Sequence, residues 1–283
     1  MQPLPLSVII VNHNAGPLLS ECVRAVQGQA VREVIVVDNG STDGSLELLR
    51  ERADPAALGI VETGRNLGFA AACNIGLRAA TQPFLLFLNP DGIPAPGSLA
   101  RLLQVLEQHP AAGMVGGLLL NPDGTEQRGG RRAIPTPGQV LMRRKFNLHG
   151  TPLPSQPTPV EAISGALMLV RREAMQAVGQ WDEGYFLHCE DLDWCLRFRQ
   201  KGWDILFVPD APVVHYQGTC SRARPLFVEW HKHRGMLRFY RKFSSQPSSG
   251  LLMGLVALGV WLRFGLVVLR HAVRRTLHWG QRD

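Results

Sequence analysis

The sequence predicts an α/β protein, a sheet of mostly parallel strands flanked by helices, with an apolar, basic helical segment appended at its C-terminal end. Three observations carry this. Short β-branched apolar runs alternate with stretches of helical periodicity, the pattern of βαβ units. Polar clusters follow three of those runs, at residues 12–14, 38–43 and 89–91. The last fifth of the chain departs from the rest in both charge and hydropathy.

In order along the chain, "LSVIIVNHN" reads as a buried strand ending in polar residues, and "LLSECVRAVQGQ" as a helix that stops near Gly28. "REVIVVDNGSTDGS" is a second buried strand running into a polar, Gly-containing loop, and "SLELLRERA" is helical. "GIVETGRNLGFAAACNIGLRAA" gives a short strand, a loop and a helix. "PFLLFLNPDG" is a third strong strand, and "PGSLARLLQVLEQHP" a further helix. "AGMVGGLLLNPDGT" continues the sheet and turns. Residues 127–160, rich in Arg, Pro and Gly and including "RGGRR", are expected to form a long mobile loop over the site. "AISGALMLVRREAMQAVG" returns to strand and helix, and "GWDILFVPDAPVVHYQG" closes the globular part. The boundary is placed at 221/222.

The 283 residues suffice for a sizeable core, and 45% hydrophobic with 19% charged residues excludes general disorder. The net charge of +7 is unevenly placed: residues 1–221 carry 18 basic and 21 acidic side chains, residues 222–283 carry 12 and 2. Such a tail suits an anionic surface. Five cysteines, an odd number without a CxxC pair, point to free thiols in a reducing compartment. The first residues lack a basic region, and their apolar run is too short for a secretory leader. Residues 251–269 are apolar but for Arg263, near the ~20 residues that span a bilayer. A central arginine costs roughly 2.5–3.5 kcal/mol on insertion scales. With basic flanks on both sides, a helix lying in the interface fits better than a clean span; the alternatives are packing on the globular domain or on a second copy in a homodimer.

Four constellations carry chemistry. "VVDNGSTDGS" offers an acid at a strand end, able to accept from a base or ribose, and is also ordinary turn composition. In "FLLFLNPDG", Asn89 and Asp91 lie two apart, so an extended backbone points both the same way, a spacing that suits Mg²⁺ or Mn²⁺ against a diphosphate as well as a plain turn. "GRNLGFAAACN" supplies Arg65 for phosphate and Asn66 and Asn74 for hydrogen bonds, but is not the dinucleotide-binding GxGxxG. "FLHCEDLDWCLR" sets Glu190, Asp191 and Asp193 within four positions, either as a helix start or as a general base at a pocket mouth, with His215 downstream as a structural histidine or a metal ligand.

In this order, the motifs "VNHN", "VVDNGSTDGS", "GRNLGFAAACN", "LNPDG", "SGALMLVRREA" and "HCEDLDWCLR", with the late histidine, resemble the inverting family 2 glycosyltransferases of the GT-A fold. The likeness covers residues 6–218 and is closest to the rhamnosyltransferase-like branch that builds bacterial surface polysaccharides. It implies a Rossmann-like mixed, mostly parallel sheet. It implies that Asn12, Asp38, Arg65, Asn66 and Asn89 hold the nucleotide, and that Asp91 and His215 hold Mg²⁺ or Mn²⁺. Asn89 stands where the family's DxD motif has its first acid, a departure that leaves the metal one negative charge fewer. Asp191 matches the catalytic base. Glu190, Gly165 and Trp181 are expected to contact or support the acceptor, with the tryptophans either sugar platforms or core. The like charge of Glu190 is expected to raise the pKa of Asp191.

The implied activity moves a sugar, with L-rhamnose from dTDP-rhamnose as the first choice, to a lipid-linked or glycan acceptor on the inner face of the cell membrane. Nucleic acid is not an expected partner, because the pocket acids would repel phosphates unless a metal intervened. The competing readings are a non-catalytic nucleic-acid- or membrane-binding protein that uses "RARPLFVEWHKHRGMLRFYRK", and a sugar-phosphate or nucleotidyl enzyme on a similar sheet.

Overall fold

The computed structural model describes residues 2–135, 146–218, 224–243 and 250–279. Cys220, the expected 221/222 boundary and residues 136–145 of the expected loop lie outside the described residues. The other four cysteines are buried free thiols.

The first half is a run of βα units. Strand β1 (Leu4–Asn12) is followed by helix α1 (Leu18–Gln27), β2 (Val31–Asp38), α2 (Ser45–Arg52), β3 (Leu58–Glu62), α3 (Phe69–Ala79) and β4 (Phe84–Leu88). Then come β5 (Gly92–Pro94), α4 (Ser98–Gln108) and β6 (Ala112–Leu120). The short strands β7 (Arg131–Arg132), β8 (Thr158–Pro159) and β9 (Ala162–Ile163) precede β10 (Leu167–Arg171), α5 (Arg172–Val178), α6 (Glu190–Gln200) and β11 (Asp204–His215). Helices α7 (Pro225–Phe243) and α8 (Gly250–Trp279) follow.

The main sheet runs β3-β2-β1-β4-β10-β6-β11-β5, with β8 added on β11. Its first four strands are parallel, and β10 enters antiparallel between β4 and β6. Because both faces are covered, strand residues on either side are buried, which explains the unbroken apolar runs in the sequence. Leu6, Val8 and Ile10 face a core shared with α1, α2 and α4, whereas Ile9 and Val11 face a second core with α3, α5 and α6. In α1, Leu19, Cys22, Val23 and Val26 recur at helical spacing and are buried on that first face.

Two departures from the sequence reading matter for the site. The described part of the 127–160 segment is held rather than loose. Buried Arg131 pairs with Glu126 and donates to the Thr151 carbonyl, and β7 pairs with β9. Arg131 and Arg132, read as part of a basic loop, are structural because each finds a carboxylate and a carbonyl. The tail is also less separate than expected: Phe239 and Tyr240 of α7 belong to the second core.

Strand β11 pairs in parallel with β6 but slips between Val208 (opposite Gly117) and Pro212 (opposite Leu118). The bulged residues bring the Ala211 carbonyl over Gly117, where an added Cβ would sit 2.2 Å from that oxygen. Past the bulge, β11 pairs with β5 and ends with His215 opposite Gly92. Replacing Gly117→Ala therefore forces the bulge to move. The expected cost is about 1–3 kcal/mol of stability, read as a lowered urea midpoint with an unchanged slope.

Candidate active site

The polar clusters meet at the carboxyl ends of β1, β2, β4 and β11, where ligands bind in open α/β sheets. Asn12 closes β1 and is 0% exposed. Its amide nitrogen donates to Asp38 Oδ1 (2.8 Å), Ser41 Oγ (2.9 Å) and Ser45 Oγ (2.9 Å), and its Oδ1 has no partner. Asp38 Oδ2 accepts the Ser41 N–H. The pair thus braces the loop after β2 and leaves one buried acceptor, Asn12 Oδ1, unused. Asn39, which the sequence did not single out, ties this loop to the next: its amide donates to Asn66 Oδ1, and its Oδ1 accepts the Leu67 N–H. The approach is close enough that Gly40, at φ +73°, has room for no side chain, since a Cβ would meet the Arg65 backbone at 2.7 Å. Asn66 spends its carbonyl on Asn39 and Gly68. Arg65 is exposed, and its guanidinium has no partner among the described residues, so it is free for an anion. Asn74, by contrast, is consumed by Trp181 and Glu183.

At the end of β4, Asn89 and Asp91 converge on one atom. His215 Nε2 lies 3.1 Å from Asn89 Nδ2 and 3.1 Å from Asp91 Oδ1. Gln127, 88 residues away in sequence, assigns the ring tautomer. Its amide nitrogen donates to Asn121 Oδ1 and the His215 carbonyl, which turns its Oε1 towards His215 Nδ1 at 2.6 Å. Nδ1 therefore carries a proton, and Nε2 lies beside the 3%-exposed Asp91. An imidazole nitrogen and a carboxylate oxygen side by side fit a divalent cation, with an N/O donor set that suits Mn²⁺ or Mg²⁺. No group of three or more His, Cys, Asp or Glu side chains with this capacity occurs among the described residues.

Asp191 lies in the first turn of α6. Two consecutive non-glycine residues in left-handed conformation, His188 (φ 69°) and Cys189 (φ 71°), lead into that turn. Such backbone is costly and persists only where its surroundings hold it. Helix α7 does so: Gly235 packs so close that a Cβ would lie 2.8 Å from the His188 carbonyl oxygen. Phe227 and His231 pack on Phe186, and Arg238 and Lys242 clamp Asp182. Asp193 is a buried hub for Arg197, Tyr185 and Lys242.

The Asp191 carboxylate accepts from Arg132 Nη2 (2.5 Å) and Gly165 N (3.2 Å) at Oδ2, and from Leu192 N (2.8 Å) at Oδ1. The turn holding Gly165 also meets the end of β4, because Asn89 N donates to the Ala166 carbonyl (3.0 Å). One short turn therefore contacts both the acid of the second half and the Asn89 strand end of the first.

Two expectations are corrected. Burial alone would raise the Asp191 carboxyl, but the Arg132 guanidinium outweighs it, helped by the Gly165 N–H, and holds it below the usual carboxylate range. The upward shift falls on Glu190 instead, pushed to about 8 by burial and then by the Asp191 charge beside it, with Oε2 unpartnered. Trp181 is no sugar platform: 3% exposed, it packs edge-on against Phe69 and Phe87 and lies 4.2 Å from Trp194, so its part is support. Sequence reasoning missed Gln127 and Arg132. Neither lies in a motif, and the only trace of Arg132 was the "RGGRR" run.

Comparisons with known proteins identify the family. The model of "Glycosyl transferase family 2" matches residues 7–179. The chain belongs to that family. It is a glycosyltransferase of GT-A fold, similar to rhamnosyltransferases. It is 32% identical over 243 residues to the N-acetylglucosaminyl-diphospho-decaprenol L-rhamnosyltransferase of Mycobacterium tuberculosis (78% of each chain). It is 26% identical over 224 residues to rhamnosyltransferase WbbL of Escherichia coli K12 (76% of this chain, 85% of the relative). Among solved structures it resembles the mannosyltransferase PcManGT from Pyrobaculum calidifontis in complex with GDP-Man and Mn²⁺. There the TM-score is 0.61 at 21% identity, covering 97% of this chain and 76% of that one. A second is GalNAc-T7 with UDP, GalNAc and Mn²⁺, with a TM-score of 0.59 at 22% identity, covering 74% and 43%.

The displaced Glu190 has a consequence for stability. Its carboxyl titrates near 4.5 when unfolded and near 8 when folded, so between those pH values the folded state binds more protons and loses stability as pH rises. Glu190→Gln removes that loss. Its urea midpoint is expected to gain on the wild type steadily from pH 5 to pH 8.5.

Proposed function

We propose that the protein is an inverting rhamnosyltransferase that moves L-rhamnose from dTDP-rhamnose to a hydroxyl of a lipid-linked glycan at the inner face of the cell membrane, with Asp191 as general base. The observation that carries this is the shared turn, with Gly165 N on Asp191 Oδ2 and the Ala166 carbonyl on Asn89 N, which ties the Asp191 carboxylate to the same piece of backbone as the end of β4. The sugar is inferred from the names of the two rhamnosyltransferase relatives, and the lipid-linked acceptor from the name of the Mycobacterium tuberculosis relative.

In this reading Asn12, Asp38, Asn66 and Asn89 shape the nucleotide pocket, and Arg65 pairs with its phosphates. Asp91 and His215 would hold Mn²⁺ or Mg²⁺, which supplies charge neutralisation for the leaving diphosphate. Asp191 retains an open lone pair on Oδ1, which accepts only the Leu192 N–H. It takes the acceptor hydroxyl proton as that oxygen bonds to the anomeric carbon. The bond from that carbon to the phosphate oxygen breaks on the opposite face, the nucleoside diphosphate leaves with the electron pair, and configuration inverts. A depressed pKa keeps Asp191 ionised and ready to accept, and general-base assistance contributes typically 10²–10⁴-fold. Asp191→Asn is expected to lower turnover by at least 10²-fold while dTDP with Mn²⁺ still raises the melting temperature as in the wild type. A second reading gives the proton to Glu190, because its raised pKa suits a base. Retained turnover in Asp191→Asn with loss in Glu190→Gln would select it.

The tail supports membrane association. Residues Met253–Val273 form a stretch of mean hydropathy 1.7 that is 6% buried. Trp261 and Phe264 pack on Trp230 of α7, while Leu255, Leu258, Leu262, Leu266 and Leu269 are 57–61% exposed. The pairs 255/266 and 258/269 repeat at eleven residues, which keeps the stripe straight along one helix face. Arg263 and Arg270 each follow a stripe leucine and so sit about 100° round the helix, where they can reach headgroups while the leucines enter the acyl boundary. Replacing Leu258, Leu262 and Leu266 by Ser is expected to shift the protein from the membrane to the soluble fraction without loss of turnover on a water-soluble acceptor analogue.

A further inference from the structure

We propose that Arg132 is the positioning residue of the proposed base, fixing the Asp191 carboxylate between strand β7 and the Gly165 turn. This rests on Asp191 acting as the base. The sequence alone placed Arg132 in a loose basic run.

The geometry is specific. Register pairing with β9 sets Arg132 opposite Ala162, which fixes its backbone. One nitrogen, Nη2, donates to both Asp191 Oδ2 and the Ile163 carbonyl (2.8 Å). Nε is buried without a partner. The arginine is therefore anchored by a single fork tip rather than the usual two-nitrogen clasp, and it meets only Oδ2. That leaves Oδ1 bonded only to the Leu192 N–H, with spare acceptor capacity. A clasp on both oxygens would block proton transfer; no cation at all would leave two adjacent buried acids competing for one charge.

The groups around Asp191 make Arg132 the dominant cation. Glu190 and Cys195 belong to its own helix, and His188 and Cys189 to the turn before it; Lys232 and Glu229 of α7 act on His188. Arg132 lowers the Asp191 carboxyl against the opposing effect of burial. Without it, burial and Glu190 would push Asp191 upward, and the acid limb of kcat/KM would move to higher pH.

The test is the pH profile of kcat/KM for wild type, Arg132→Gln and Arg132→Lys, with melting temperatures as a check on folding and Asp191→Asn alongside. For Arg132→Gln the acid limb is expected to move up, so that activity relative to wild type falls at least tenfold further at pH 6 than at pH 8.5, with donor KM unchanged. Arg132→Lys keeps the charge but not the planar fork; its limb stays near the wild-type position while kcat drops. A pH-independent loss in Arg132→Gln, or wild-type kcat in Arg132→Lys, would overturn the inference. Should Arg132→Gln not fold, Arg132→Lys decides by that same criterion. Asp191→Asn separates the two claims: full turnover there overturns the base itself, whereas an inactive Asp191→Asn with an unmoved limb in Arg132→Gln overturns only the role of Arg132.

Discussion

A buried carboxylate cannot stay ionised on its own, and in this protein the charge of Asp191 is stabilised by three separate stretches of chain. Arg132 comes from the excursion between β6 and β10, Gly165 from the turn into β10, and Leu192 from the acid's own helix. Each must be in register for the carboxylate to be satisfied, because an unpaired buried charge is far more costly than a neutral polar group. This requirement explains why a segment that looks like loop is pinned by a buried Arg131–Glu126 pair and by the β7–β9 ladder. The same turn that satisfies Asp191 meets the end of β4, so the Asp191 carboxylate and the Asn89 strand end are set by one piece of backbone.

The division of labour between Glu190 and Asp191 follows from the same electrostatics. Two like charges side by side in a low-dielectric setting do not titrate alike; the one given a cation stays ionised and its neighbour retains its proton. Arg132 faces Asp191, so Glu190 is the residue driven up. At the other end of the site a neutral amide, Asn89, lies beside Asp91, with its Nδ2 3.1 Å from His215 Nε2. With one acid fewer there, the orientation of His215 counts for more, and Gln127 fixes it.

The C-terminal helices join the site to the apolar surface. Helix α7 presses Gly235 against the strained His188–Cys189 turn and clamps Asp182 and Asp193 with Arg238 and Lys242. Its other side carries α8 through Trp230, Trp261 and Phe264. The basic residues that make the tail so positive are therefore not all free for a surface: some are committed to acids of the catalytic domain. A count of charges along the sequence cannot separate the two uses.

What the sequence determined by itself is what local pattern encodes. Apolar runs and helical spacing fixed the strands and helices, since burial on both sheet faces requires continuous apolar strands. The polar residues at the strand ends, Asn12, Asp38, Asn89 and Asp91, were legible because parallel strands bring their carboxyl ends to one edge whatever the details. Membership in glycosyl transferase family 2 was legible from motif order. Tertiary structure alone decided the rest. Gln127 reaches His215 across 88 residues, and Arg132 reaches Asp191 across 59. Neither pairing leaves a trace in spacing, because both are made by a strand slip and a short ladder. Whether Trp181 faced a sugar or the core, and which of two adjacent acids would hold its charge, depended on what packs against them, and that is a property of the folded chain.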